Sequence, residues 1–145
     1  MVLKQEIISE RLKEMDTVLE ELSLYQGESP EDLKASLSTR WTVERGMIAL
    51  ANLVFDAADH ILSGYFGVYS ETYEDTLQKL WEKGVVSQSL YERIKGLGGF
   101  RNILVHDYLK VDVTELHRNL LKAFEVFPAF SREIQQWLKT IMLGA

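Results

Sequence analysis

Between residues 3 and 25 the apolar side chains fall at Ile8, Leu12, Met15, Leu19, Leu22 and Tyr25, alternately four and three apart. That alternation is the period of one stripe on an α-helix, and Glu and Lys fill the positions between. The period returns at Met47, Ile48, Ala51, Val54, Phe55, Ala58, Ile61 and Leu62. Nowhere does an apolar/polar alternation run between turn residues, so no strand is expected. The chain therefore reads as all-α, an antiparallel bundle of four to five principal helices joined by short loops.

Turn chemistry divides the stripes. Gly27 stops the first helix, and Ser29-Pro30-Glu31 starts a short turn in the N-cap/N1 pattern. Ser38 or Thr39 opens the second long helix and Gly64 closes it, leaving Tyr65–Tyr69 as an apolar loop over a helix end. Ser70 caps a third helix that runs to Lys83, with Gly84 as terminator; Ser87 caps a fourth that ends near Leu109. Asp112-Val113-Thr114-Glu115 has capping-box spacing and begins the fifth. Pro128 predicts a kink or break at Phe127-Pro128, before a last piece ending near Leu143.

A chain of 145 residues fits a single domain over residues 1–145, burying about 70% of its unfolded surface. It has no cysteine, which removes disulfides, thiolate metal sites and a thiol nucleophile. The N-terminus lacks the pattern of a signal peptide. The most apolar run, Met47 to Phe55, is interrupted by Asn52 and far short of a membrane span. A cytoplasmic protein is expected. The net charge of −6 argues against broad capture of nucleic acid. Between Tyr91 and Lys110, however, Arg93, Lys95, Arg101 and Lys110 face only Glu92 and Asp107. That local positive excess suits a small anion-binding cleft.

The same region holds the densest chemistry, Gly98-Gly99-Phe100-Arg101-Asn102-Ile103-Leu104-Val105-His106-Asp107-Tyr108. A glycine inside a helix costs about 1 kcal/mol relative to alanine, so the pair needs a reason. Either another helix packs closely or the helix bends, or open space is kept for a substrate or partner; both can hold. Arg101 and His106 are five apart, about 140° around an ideal helix. They share a site only if the backbone departs from α or the side chains converge from opposite sides of a cleft. Arg101 offers a planar fork of donors for a phosphate, and an imidazole moves protons near neutral pH. Such a pair can cleave RNA without a metal: the histidine handles protons while the ribose 2′-hydroxyl attacks, and arginine stabilises the phosphorane. The plainer alternative is an Arg–Asp ion pair beside a partly buried histidine.

The run Arg101-Asn102-Ile103-Leu104-Val105-His106-Asp107-Tyr108 resembles the Arg-x4-His-x-Tyr signature of HepT-type toxins in the HEPN (higher eukaryotes and prokaryotes nucleotide-binding) superfamily. Val43-Glu44-Arg45 and the segment from Asp56 through His60 to Ser63 resemble that family's second helix. The Gly-Phe before Arg101 and the Lys-Val-Asp after Leu109 are similar as well, and the likeness covers most of residues 40–138. It implies a helical bundle that dimerises and brings two motifs to a shared cleft. It also implies metal-independent ribonuclease activity on an RNA substrate, with no cofactor. The implied partner is a minimal nucleotidyltransferase antitoxin that adds AMP to the signature tyrosine. Carried over, Arg101 and His106 are catalytic, Asn102 supports the site and Tyr108 is the AMPylation target. The rival is a non-catalytic helical module that binds the nucleotidyltransferase or a nucleotide.

The other candidates read as structural. His60 is a helix-packing residue or a support beside the cleft, and His117 a solvated face residue. With no histidine pair at i, i+4 and no cysteine there is no metal-ligand pattern. Glu20-Glu21 and Glu71, Glu74 and Asp75 suit solvated faces and helix N-termini. Phe124, Phe127, Phe130 and Trp137 have the spacing of core or dimer packing. Neither a GxxxxGK[ST] loop nor a GxSxG elbow is present.

Overall fold

The first stripe does what its spacing requires: helix α1 (Gln5–Leu22) buries Ile8, Leu12, Met15, Leu19 and Leu22. A computed structural model describes residues 3–143, the side chains of Tyr108 and Leu143 excepted. After α2 (Pro30–Ala35), whose cap Ser29 forms a reciprocal capping box with Asp32, comes the long α3 (Leu37–Ile61). α1 lies antiparallel to it. Lys4 at the start of α1 donates its N–H to His60 Nε2 at 3.3 Å, and Leu22 at its end packs on Gly46. A Cβ on Gly46 would sit 2.6 Å from a Leu22 methyl, so this glycine sets how closely the two helices approach.

Both ends of α3 differ from expectation. Ser36 caps it, through Thr39 N–H at 3.2 Å, rather than Ser38 or Thr39. Gly64 does not close it. The helix widens into a π turn (Leu62–Phe66) and stops at Gly67, the residue with φ of 64°. A left-handed residue ends a helix, and the glycine that adopts that conformation is the later one. Tyr65 and Phe66 are accordingly helical, with rings 5.1 and 5.9 Å from that of Trp137. The stretch Leu37–Phe66 is long and apolar enough to cross a membrane by length and composition. Much of it is bundle core instead, including Val43, Met47, Leu50, Val54 and Ile61.

Thr72, not Ser70, caps α4 (Tyr73–Glu82), accepting from Asp75 N–H at 3.0 Å. The Ser70 hydroxyl is bonded to Thr76 and Asp59. Gly84, with φ of 76°, ends this segment as anticipated. Ser87 caps α5 (Gln88–Ile94), but that helix does not continue to Leu109. At Gly96 (φ −93°, ψ 2°) the chain turns and starts α6 (Leu97–His106). The break lets α5 pack on α4 and α7 while α6 packs on α3 and α4. Asp107 leaves the helical region, and a 3-10 turn follows (Tyr108–Lys110).

Asp112 begins α7 (Val113–Leu143) by accepting from the N–H groups of Thr114 and Glu115 at 2.9 and 3.3 Å. The helix runs through Pro128 without the expected break. A proline inside a helix costs about 3 kcal/mol. Phe127 and Phe130 on either side are buried, each worth about 1.5–3 kcal/mol, so packing holds the helix together. His117 is not a solvated face residue: it is half-buried, and its Nε2 donates to the Glu28 carbonyl at 3.0 Å, tying α7 to the turn before α2. Among the described residues there is no strand, and the buried apolar side chains form one cluster.

Candidate active site

The two glycines of the central motif turn out to have different reasons. A Cβ on Gly98 would lie 2.4 Å from Cβ of Tyr73, so α6 approaches α4 only because that side chain is missing. A Cβ on Gly99 would meet nothing within 4 Å. Gly99 borders two hollows. One is a polar cleft of about 540 Å³ whose walls include Asp59, Ser70, Glu71, Tyr73, Gly98 and Asn102. The other is an apolar groove of about 390 Å³ between α6 and α7, walled by Met47, Leu97, Phe100, Ile103 and Phe127.

The close approach at Gly98 positions Arg101 one turn later. Its guanidinium carbon lies 5.3 Å from the centre of the Tyr73 ring, which is itself tilted against Phe55 with centroids 4.3 Å apart. Nε donates to Asn52 Oδ1 at 3.0 Å, and Nη1 to Asn102 Oδ1 at 3.3 Å. A ring face and two amide oxygens thus fix the plane of the guanidinium, and its remaining N–H donors have no partner among the described residues. Asn102, expected to support the site, is bonded to the arginine. Asn52, forty-nine positions away in sequence, was not singled out. Its only sequence signal is that it interrupts the apolar run from Met47 to Phe55.

His106 is exposed at the last position of α6 and makes no hydrogen bond among the described residues. α6 is ordinary α-helix throughout, so Arg101, bonded to Asn52 on α3, and His106, exposed, leave it about 140° apart around the axis. Hydrogen bonds join Arg101, Asn102 and Asn52, and His106 takes no part in that network. The plainer alternative also fails, since Arg101 forms no ion pair with Asp107 and His106 is not buried. Tyr108 has its backbone in the 3-10 turn, and its side chain lies outside the described residues.

On the cleft wall, partial burial holds the Asp59 carboxyl above its usual range; the Ser70 and Thr76 hydroxyls oppose that and Asp56 adds to it. His60 accepts a backbone N–H at the start of α1, a structural role at a helix end. Among the described residues no three His, Asp or Glu side chains cluster to hold a metal ion.

The family described as ribonuclease HepT-like matches residues 8–134, which includes α6 and its whole signature. The chain belongs to this ribonuclease HepT-like family. It is similar to the tRNA nuclease HepT of Aphanizomenon flos-aquae (strain 2012/KM1/D3), 27% identical over 135 residues, 93% of this chain and 92% of that protein. Among solved structures it is similar to the Bacillus subtilis cytosolic protein YutE, with a TM-score of 0.81 at 21% identity, covering 97% of this chain and 94% of that one. It is equally similar to a tri-AMPylated Shewanella oneidensis HEPN toxin in complex with an MNT antitoxin. There the TM-score is 0.82 at 19% identity, covering 92% and 99% of the two chains. The HepT-like resemblance read from Arg101 to Tyr108 is borne out for family and fold. The HepT-like signature here consists of an arginine already oriented by its neighbours and a histidine that faces solvent.

Proposed function

We propose that this chain, as a single cytoplasmic domain, is a metal-independent endoribonuclease toxin acting through Arg101 and His106. The observation that carries this is the state of Arg101. Its guanidinium is oriented by Tyr73, Asn52 and Asn102, and no carboxylate among the described residues pairs with it. A cation held in place with unused donors is suited to a phosphate whose charge grows in the transition state. The His106 imidazole takes the proton of the ribose 2′-hydroxyl as that oxygen attacks phosphorus. The bond from phosphorus to the 5′-oxygen breaks, leaving a 2′,3′-cyclic phosphate, and the departing oxygen receives a proton from an imidazolium.

Arg101 and His106 diverge on a straight helix, so the site is completed by a second copy across a two-fold axis. Ile103, Val105 and Leu109, exposed beside the motif, are the apolar surface available to that contact. The partner that restrains the toxin is a minimal nucleotidyltransferase, which transfers AMP from ATP to the Tyr108 hydroxyl. The phenol oxygen bonds to the α-phosphorus, pyrophosphate leaves and the phenol proton goes to solvent. The resulting phosphodiester competes with RNA for Arg101. The Shewanella neighbour, described as AMPylated and bound to an MNT antitoxin, supports this part. The relative named as a tRNA nuclease makes tRNA the first substrate to try.

The test is cleavage of a tRNA pool in EDTA by purified protein beside His106→Ala. Cleavage by wild type and none by a folded His106→Ala protein is expected; equal cleavage by both overturns the assignment. Intact mass after co-expression with the nucleotidyltransferase should show AMP adducts on wild type and none on Tyr108→Phe.

A further inference from the structure

Trp41, Arg45, Ile48 and Asn52 are spaced four, three and four apart along α3, so they form one line on that helix, and Asn52 is the residue that holds Arg101. Trp41 is 56% exposed, more than any other large hydrophobic side chain on α3. Arg45 is exposed and has no hydrogen bond or ion pair among the described residues, whereas nearby Arg40 is bonded to Glu44 at 2.8 Å. The line thus carries an uncommitted cation and an open aromatic face, leading away from the oriented arginine.

The other direction along α3 is chemically opposite. Beyond Asn52 the line reaches Asp59, and with Glu71 and Glu74 it borders the polar cleft. Three carboxylates repel a polyanion. α6 runs antiparallel to α3: Gly98 meets Tyr73 beside Phe55, and three residues later Arg101 meets Asn52, three residues earlier. Continued at the helical rise, that register puts the end of α6, with His106, level with the part of α3 between Asn52 and Arg45. A phosphate at Arg101 therefore has its next anionic neighbours welcomed on one side only.

We infer that Arg45 and Trp41 form a binding track for single-stranded RNA beside the proposed cleavage site, Arg45 taking a flanking phosphate and Trp41 stacking a base. The track rests on the ribonuclease function proposed above and deepens it. Arg45 lies about 10 Å along the helix from Asn52, a distance spanned by about three stacked nucleotides, and Trp41 about 6 Å further. Stacking on an aromatic face tolerates any base, so the track supplies affinity and register without choosing a sequence. It requires an unpaired segment, such as a loop or a frayed end, since a base in a duplex has no free face to offer.

Two measurements test it. Fluorescence anisotropy of a labelled oligouridylate of about ten nucleotides is followed with His106→Ala protein, which keeps the track and does not cut. Adding Trp41→Ala should weaken binding roughly five- to a hundred-fold while Trp41→Phe retains most of it. Adding Arg45→Ala should reduce the salt slope by about 0.7, and Arg45→Lys should restore it. In cleavage assays with the native His106, both alanine variants should raise KM and leave kcat nearly unchanged. Unaltered affinity and salt slope in Trp41→Ala and Arg45→Ala overturn the track, even if wild type cuts RNA well. If wild type cuts no RNA, the ribonuclease function falls and the anisotropy result still decides the track. A changed mass in light scattering for Trp41→Ala overturns it as well, because the face would then belong to a protein contact.

Discussion

At the scale of residues the proposed site depends on Arg101 being aimed before substrate arrives. Arg101→Lys should keep the fold and lose most cleavage, since a point charge cannot reproduce a planar fork held by Asn52 and Asn102. In the proposed mechanism Asn52 acts through that fork as a positioning residue. Asn52→Ala should lower kcat more than it raises KM, and Asn52→Asp should be worse still, because its carboxylate competes with phosphate for the guanidinium; steady-state kinetics on both variants checks this. The glycine pair separates by stability. Gly99→Ala meets no atom and should stabilise by about 1 kcal/mol. Gly98→Ala meets the Tyr73 Cβ and should destabilise by about 1–3 kcal/mol, and denaturant midpoints distinguish them. Asp59 gives a pH signature. Its carboxyl is held above the ordinary 3.8, chiefly by burial, so the folded state disfavours the charge. That penalty is absent below the unfolded value and complete above the folded one. Asp59→Asn should therefore be more stable than wild type near pH 7 and no more stable near about pH 3.5 in urea titrations.

At the scale of elements, what could be read from sequence was what is local. The stripe of α1, the caps at Ser29, Ser87 and Asp112 and the terminator Gly84 each depend on residues within a few positions, and each occurs. The misplacements depend on packing across the bundle. Gly67 rather than Gly64 ends the α3 segment because a π turn carries Tyr65 and Phe66 to Trp137 on α7. The fourth helix divides at Gly96 because its halves, which both touch α4, serve different further neighbours, α7 for one and α3 for the other. Pro128 stays helical because buried phenylalanines flank it. For the site, the signature from Arg101 to Tyr108 was legible, and so was the divergence of Arg101 and His106. Asn52 and Tyr73 were not, because nothing local ties them to the arginine they orient.

At the scale of the whole molecule, the proposed ribonuclease site is one that a second copy completes. Light scattering should show a dimer at micromolar concentration, burying at least about 1,000 Å², and a charge placed at Ile103 should shift it to monomer while leaving the helical signal intact. Within one chain, packing also keeps α6 in order. α6 has ten residues, two of them glycine, too few to stay helical in water unaided. It is held by what it touches, and the ring of Tyr73 is where Gly98, Phe55 and Arg101 all meet. The amides of α6 should then exchange with solvent together with the first turn of α4, ahead of those in α1 and α3. One small opening around that ring both unravels the helix and lets the arginine swing free. For the proposed ribonuclease, an inactive form would thus lie a single local fluctuation away from the armed one, with the rest of the bundle still folded.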